Sequence, residues 1–385
     1  MTGVQTCALP IFCLIPFVKP YIKKRIQDGI NFFSKGVART GFKITRTIPR
    51  EGLKQAQVEK RIEEFASLER FLKNKGKYSG SVFSTGDELV QINSEASNMF
   101  LFSDLNHLET NSMARQLENE IVSMMLSMYK GNDRCSGMTT RGGSESIEMA
   151  ILGHRQYYRR TKGITQPEIV VCETALAAML KACDFFGIKY IRVPITKDYE
   201  VDVDGMEKAI TANTIMIIMS CPNFPYGTCD PFKKIAQIAL KYDIGFHLDS
   251  CMGGFLVPFA KEHNAGLPED EYNFTVDGLT SLTADPHKYG LSAKGIGVLL
   301  FGRKEIQEAL YFCKADGPGP IYATSTVQDT RSAAVIAACW ATMMYYGQDG
   351  YSKLAKGIFD ESTYFINGLK KIPGIDVIGN PIVSL

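Results

Sequence analysis

The chain has 385 residues, 45% of them hydrophobic and 22% charged, which is the balance of a globular protein long enough for one large or two ordinary domains. Its 43 Lys and Arg nearly cancel 41 Asp and Glu to leave a net charge of +2, and no basic stripe interleaved with aromatics runs through it, which excludes a nucleic-acid binder. Ten cysteines fall without CxxC or Cys/His metal spacing, so they read as mostly buried free thiols in a reducing compartment.

In chain order, residues 1–11 (MTGVQTCALPI) resemble the in-frame translation of a sequencing-library adapter and are set aside as an artefact. Residues 12–50 form an amino-terminal segment in which the apolar run Phe12 to Val18 is far short of the ~20 residues that span a bilayer. Lys19, Lys23, Lys24 and Arg25 follow it, the pattern either of a membrane-proximal flank or of a surface helix with solvated lysines. A charged helix is expected from Gln55 to Phe71. An amphipathic one is expected from Met113 to Tyr129, with Leu117, Ile121, Met124 and Met128 on one stripe as core packing. Short apolar runs at Ile169 to Cys172, Tyr190 to Pro194, Ile215 to Ser220, Ile244 to Leu248 and Val298 to Phe301 alternate with helical windows at Leu176 to Phe186 and Pro231 to Tyr242. Strands spaced by helices imply an α/β fold, a mostly parallel sheet covered on both faces. Residues 51–348 are expected to form this large domain with an amino-terminal helical extension. A domain change near Asp349 to Gly357 is expected to open a truncated small domain over 349–385.

Three chemistry-bearing signals fall at strand ends, where open α/β sheets bind ligands. The first is TTRGGSESI, Thr139 to Ile147, in which Gly142 and Gly143 permit close backbone approach and Ser144 and Ser146 offer hydroxyls at a helix start. It is neither a P-loop nor a dinucleotide fingerprint, and a capped turn is the alternative. The second is Asp249, closing the strand IGFHL, a carboxylate placed to pair with a protonated pyridine nitrogen; a helix N-cap or metal ligand is the alternative. The third is TADPHKYGLSAKGIG, Thr283 to Gly297, in which Lys288 follows His287 after a short apolar strand. A lysine forms a Schiff base only where burial or a nearby cation lowers its pKa, and a solvated surface pair is the alternative.

The order Gly-Gly-Ser, Asp, Lys, together with HLDSCMGGFL, SLTADPHKYGLSAKGIGVLLF, GGSESIEMA, SCPNFPYGTCDP and GPIYATS, resembles the sphingosine-1-phosphate lyases. These are fold-type I pyridoxal phosphate enzymes near the group II decarboxylases. The resemblance runs from about Leu53 to the last residue and includes the connecting segment FFGIKYIRVPITKDYEVDV.

The resemblance implies a fold-type I large domain and pyridoxal 5'-phosphate as cofactor. Lys288 would carry the cofactor as a Schiff base, Asp249 would be the pyridinium partner, and Gly143, Ser144 and His287 would bind the cofactor phosphate. His107, Lys294 and Asp104 would lie near the substrate's phosphate and polar head, with a loop charge and a satisfied turn histidine as the alternatives for Lys294 and His107. The implied reaction splits a long-chain base 1-phosphate into a fatty aldehyde and phosphoethanolamine, with Lys288 as proton shuttle. Also implied are a homodimer with shared sites, Tyr322 reaching the neighbour's cofactor, and an endoplasmic-reticulum membrane anchor with the catalytic domain facing the cytosol. A related amino-acid decarboxylase and a catalytically impaired paralogue serving as partner subunit are the competing functions.

The largest departure is Leu176, which stands where the family has a histidine that stacks on the cofactor ring. Asp104 stands for an asparagine, Phe83 for a tyrosine, and Arg331-Ser332-Ala333 for Arg-Pro-Gly.

Overall fold

A computed structural model describes residues 20, 23–28, 31, 45, 47–68, 83, 85–106, 110–269, 271–319 and 321–383. The apolar run at 12–18 and His107 lie outside the described residues. The chain divides into two compact units, Met1–Tyr78 and Ser79–Leu385, rather than at 50/51 or 348/349. In the first, helix α1 (Gln55–Leu68) fills most of the expected window.

The second unit is built on a seven-stranded sheet: β1 (Ser136–Thr140), β2 (Glu168–Cys172), β3 (Lys189–Val193), β4 (Thr214–Ser220), β5 (Gly245–Ser250), β6 (Ser281–Ala284) and β7 (Gly297–Phe301). Their spatial order is β1-β7-β6-β5-β4-β2-β3, parallel throughout except for β7, which runs against both β1 and β6. This is a mixed α/β sheet, mostly parallel and covered on both faces. A two-stranded hairpin, β8 (Phe312–Lys314) with β9 (Tyr322–Thr324), stands apart from it.

The central strands read as unbroken apolar runs because both their faces are covered. On one face, Val170 and Cys172 of β2 and Ile217 and Met219 of β4 share a cluster with α7 (Phe232–Tyr242), which α3 (Ser112–Met128) extends against β1 and β7. Ile169, Val171, Met216 and Ile218 pack on the other with α4 (Gly143–Lys162) and α5 (Ala177–Phe186). All seven residues of β4 are buried, and each large apolar side chain there contributes ~1.5–3 kcal/mol. Leu117, Ile121, Met124 and Met128 of α3 join the first of these clusters, as core packing.

Three short helices, α6 (Val203–Lys208), α8 (Val257–Ala260) and α9 (Lys304–Glu308), join the layers. Helix α2 (Asp87–Met99) packs on α10 (Ala333–Leu369). The latter breaks at Gly347, whose φ of +58° and ψ of −176° suit glycine, and then continues through 349–357.

Two buried histidines stiffen the sheet. His247 on β5 bonds Ser281 Oγ at 2.8 Å and Thr283 Oγ1 at 3.1 Å, and burial drops its pKa to about 3. His154, from the apolar stripe of α4, bonds Ala150 O and Thr280 Oγ1 and is lowered to about 4 by burial. Both are neutral structural members.

Cys221 and Cys229 form a disulfide, which corrects the expectation for that pair. The remaining cysteines of the described residues are free thiols, buried except for Cys135 and the exposed Cys313.

Candidate active site

The parallel strands and β1 all point their carboxyl ends to one edge, and the three sequence signals meet there. After Thr140 the chain turns through Gly142, at φ +130°, into the amino terminus of α4. A Cβ on Gly142 would lie 2.9 Å from His287 Cε1, and one on Gly143 would lie 2.5 Å from Cys251 Sγ and 2.7 Å from Asp285 Oδ2. Only glycine lets the cradle, the β5 end and the lysine loop close on one another. Gly297, opening β7, is packed equally tightly, because its Cβ would sit 2.7 Å from the Gly142 carbonyl carbon.

Lys288 lies in the loop between β6 and β7, with 19% of its side chain exposed, and its Nζ is 2.9 Å from Asp285 Oδ2. Burial alone would depress its pKa, but Cys251 and Asp285 outweigh that and the net shift is upward. In this state the amine is an ammonium held by a buried carboxylate, which corrects the expectation of a lowered lysine. Asp285 is the site residue that sequence reasoning passed over. It lies within TADPHKYGLSAKGIG with nothing local to mark it, and only the fold shows it buried between the cradle and the lysine.

His287 bonds the Ile296 carbonyl through Nδ1, and burial lowers its pKa, leaving its Nε2 edge 3.8 Å from Asp285 Oδ2.

Asp249 lies at the end of β5, buried, with Oδ1 accepting the Cys251 amide at 3.0 Å in a turn, and it caps no helix, since the next one begins at Val257. Burial raises its pKa, an environment in which a cationic partner would favour the carboxylate.

Two cavities share this edge. One, of about 540 Å³, is lined by Gly142, Gly143, Ser144, Asp285, His287 and the mouth residue Arg141, among others. A smaller one, of about 80 Å³, reaches Ser220, Asp249 and Cys251. Leu176 and Lys288 line both, so these two residues stand between the glycine cradle and the carboxylate.

Other candidates sit elsewhere. Ser146 is turned inward to Thr140 Oγ1 at 2.7 Å, leaving Ser144 at the cavity. Exposed Lys294 donates to the His287 carbonyl at 2.8 Å and lies 4.7 Å from the centre of the Phe83 ring. Asp104 accepts the Asn106 amide at 2.8 Å and lines neither cavity. Tyr322 is on the exposed β8–β9 hairpin, also outside them.

Behind the cradle lies a buried ion cluster. Glu118 of α3 takes Arg331 Nη1 at 2.6 Å, Arg115 Nη1 at 2.5 Å and the Thr139 amide at 3.1 Å. Burial alone would raise the Glu118 pKa, yet the arginines and hydrogen bonds bring it down to about 2. The cluster ties α3, the end of β1 and the loop before α10 together. That loop carries Val327 and Gln328 into the larger cavity wall.

The arrangement fits pyridoxal phosphate. The glycine cradle opens on the larger cavity at the amino terminus of α4, Asp285 Oδ1 is buried with no hydrogen-bond partner, and an amine lines the cavities of both cradle and carboxylate.

The family described as the pyridoxal-dependent decarboxylase conserved domain matches residues 96–384. Sphingosine-1-phosphate lyase 1 of Rattus norvegicus is 37% identical over 373 residues, 95% of this chain and 65% of that protein. The sphingosine-1-phosphate lyase of Drosophila melanogaster is 35% identical, covering 96% of this chain and 68% of its own length. The chain thus spans about two thirds of the length of these curated relatives. The solved sphingosine-1-phosphate lyase of Burkholderia pseudomallei superposes with a TM-score of 0.84 at 30% identity, over 89% of this chain and 80% of that one. Lactobacillus brevis glutamate decarboxylase shares the fold, with a TM-score of 0.74 at 20% identity over 88% of this chain and 78% of its own.

Proposed function

The chain belongs to the pyridoxal-dependent decarboxylase family, and from that premise we propose that it cleaves long-chain base 1-phosphates to a fatty aldehyde and phosphoethanolamine. The observation that carries this reading is that Lys288 stands between the glycine cradle and Asp249, inside a site whose relatives are sphingosine-1-phosphate lyases.

Pyridoxal phosphate, when bound, supplies an electron sink beside the substrate nitrogen. The chain's own residues do the rest. Gly143 and Ser144 would hold the phosphate through the first amides of α4, which no intrahelical carbonyl satisfies. Asp249 offers a buried carboxylate at the far end, held in place by the Cys251 amide. Leu176 covers the space between with apolar surface. Lys288 Nζ carries a proton 2.9 Å from Asp285 Oδ2, which therefore stands ready to take it when the amine must become neutral. Lys294 and His107 are proposed to meet the substrate's phosphate, with Asp104 beside them.

We extend the proposal to a homodimer in which Tyr322 serves the neighbouring site, supported by the exposure of Phe312, Ile321 and Tyr322 on the β8–β9 hairpin. No helix of the described residues is long and apolar enough to cross a membrane. Association with the endoplasmic-reticulum membrane is proposed from the resemblance to the lyases.

Mixing the protein with cofactor and sphinganine 1-phosphate is expected to release a long-chain aldehyde and phosphoethanolamine in equal amounts. Carbon dioxide from an amino acid without aldehyde would replace this reading with decarboxylation. A formed Schiff base with neither product would leave a partner subunit.

Leu176 favours reduced efficiency. Leu176→His should restore an aromatic face worth ~0.5–1.5 kcal/mol and tighten cofactor binding by up to ~10-fold in an equilibrium titration. Unchanged or weaker affinity would remove position 176 as the ring cover.

A further inference from the structure

The larger cavity holds several charges, and pairing them off leaves one cation over. Lys181 Nζ is committed to Glu148 Oε1 at 2.6 Å, and Lys288 Nζ to Asp285 Oδ2 at 2.9 Å. Glu145 turns its Oε2 to the backbone amide of Arg141 at 2.7 Å, not to that residue's guanidinium. Burial lowers the pKa of His287, and its Nδ1 already engages the Ile296 carbonyl. Lys294 Nζ donates to the His287 carbonyl. Among the described residues, the Arg141 guanidinium at the cavity mouth meets no carboxylate, and it adjoins Gly142, the N-cap of the 20-residue helix α4.

The backbone on which Arg141 sits is fixed. Gly142 is wedged against His287 and Gly297, and the Arg141 amide is tied to Glu145. A second observation points to a ligand in the same place: Asp285 lines this cavity, and its Oδ1 is buried without a hydrogen-bond partner. A carboxylate this close to the cradle opposes a phosphate dianion, because like charges in a poorly hydrated site repel strongly. Lys288 offsets that carboxylate while its amine is an ammonium, and once the amine is engaged elsewhere the helix-terminal amides must overcome the repulsion unless another cation joins them.

We propose that Arg141 binds the cofactor's phosphate, adding a planar, two-pronged donor to the glycine cradle. This rests on the pyridoxal phosphate reading above and adds a ligand to it. Lys288 cannot fill the role, since its amine is spoken for by Asp285 and then by the Schiff base. A substrate phosphate is the other source of the same chemistry, and the test separates the two.

Cofactor affinity is read from the Schiff-base absorbance band of the whole protein, titrated with pyridoxal phosphate and, separately, with pyridoxal, which lacks the phosphate. Arg141→Ala is expected to raise the dissociation constant for pyridoxal phosphate roughly 10- to 100-fold, the usual worth of a charged hydrogen bond, and to leave that for pyridoxal unchanged. Arg141→Lys should fall between the two, keeping the charge and losing the fork. Equal weakening of both ligands, no weakening of either, or a rise confined to the KM for the phosphorylated substrate would each overturn the proposal. A wild-type protein that never develops the band would remove the pyridoxal phosphate reading itself. A normal wild-type band with an indifferent Arg141→Ala protein would overturn only the role of Arg141.

Discussion

Lys288→Ala is expected to lower product formation on the order of 10³-fold or more, and to abolish borohydride-stable labelling of the protein by the cofactor. The lysine does two jobs that no neighbour can take over. It lines both cavities, and its Nζ is the amine beside Asp285. Exposed Lys294 donates to a backbone carbonyl, and Lys181 is bound to Glu148, so neither amine is free to substitute. The cradle and Asp249 remain in the variant, so weak non-covalent cofactor binding should persist. Peptide mapping after borohydride treatment checks the first part: a label on the Lys288→Ala protein, or turnover within tenfold of wild type, would remove Lys288 as the anchor.

Glu118→Ala is expected to destabilise the protein by about 3–5 kcal/mol, measured as a shift in the denaturation midpoint at unchanged slope. Removing this carboxylate leaves Arg331, itself buried, without its partner and frees the Thr139 amide and hydroxyl. Arg331→Ala should cost a similar amount, and the double variant less than the sum, because the two side chains share one interaction. The sign with pH follows from the folded-state value of about 2, against about 4.5 ordinarily. The stability Glu118 contributes is complete above about pH 4.5 and is lost as the pH falls through about 2. A wild-type protein whose acid sensitivity in that window matched that of Glu118→Ala would contradict the assignment.

The sheet was legible where burial on both faces left unbroken apolar runs, as in TIMIIMS of β4. It was illegible at β1, where SGMTT carries a glycine and two threonines and is recognised as a strand only by its pairing with β7. The β8–β9 hairpin was missed because FCK and YAT face solvent and so lack any alternation to read.

At the site, glycines, carboxylate and lysine were visible as residue types at strand ends. What was not visible is where charges pair. Arg331 drew notice only through the departures that follow it at Ser332 and Ala333, yet it reaches a glutamate 213 positions earlier in the chain. The ammonium state of Lys288 likewise depends on Asp285, whose burial follows from three segments closing on glycine. Cys221 and Cys229 were assigned as free thiols from spacing alone, which carries no information on side-chain direction.

The antiparallel course of β7 has a further result. The peptide between Ala284 and Val298 departs from and rejoins the same rim of the sheet, its two feet bonded side by side. A parallel successor would need a crossover of a dozen or more residues to the opposite rim and back. Lys288 is therefore carried on a short strap clamped at both ends, and pinned midway where Tyr351 donates to the Gly290 carbonyl. The fold tolerates exchange at its exposed turn, at Lys294, and not at Gly290, where a Cβ would lie 2.6 Å from the Pro286 carbonyl oxygen.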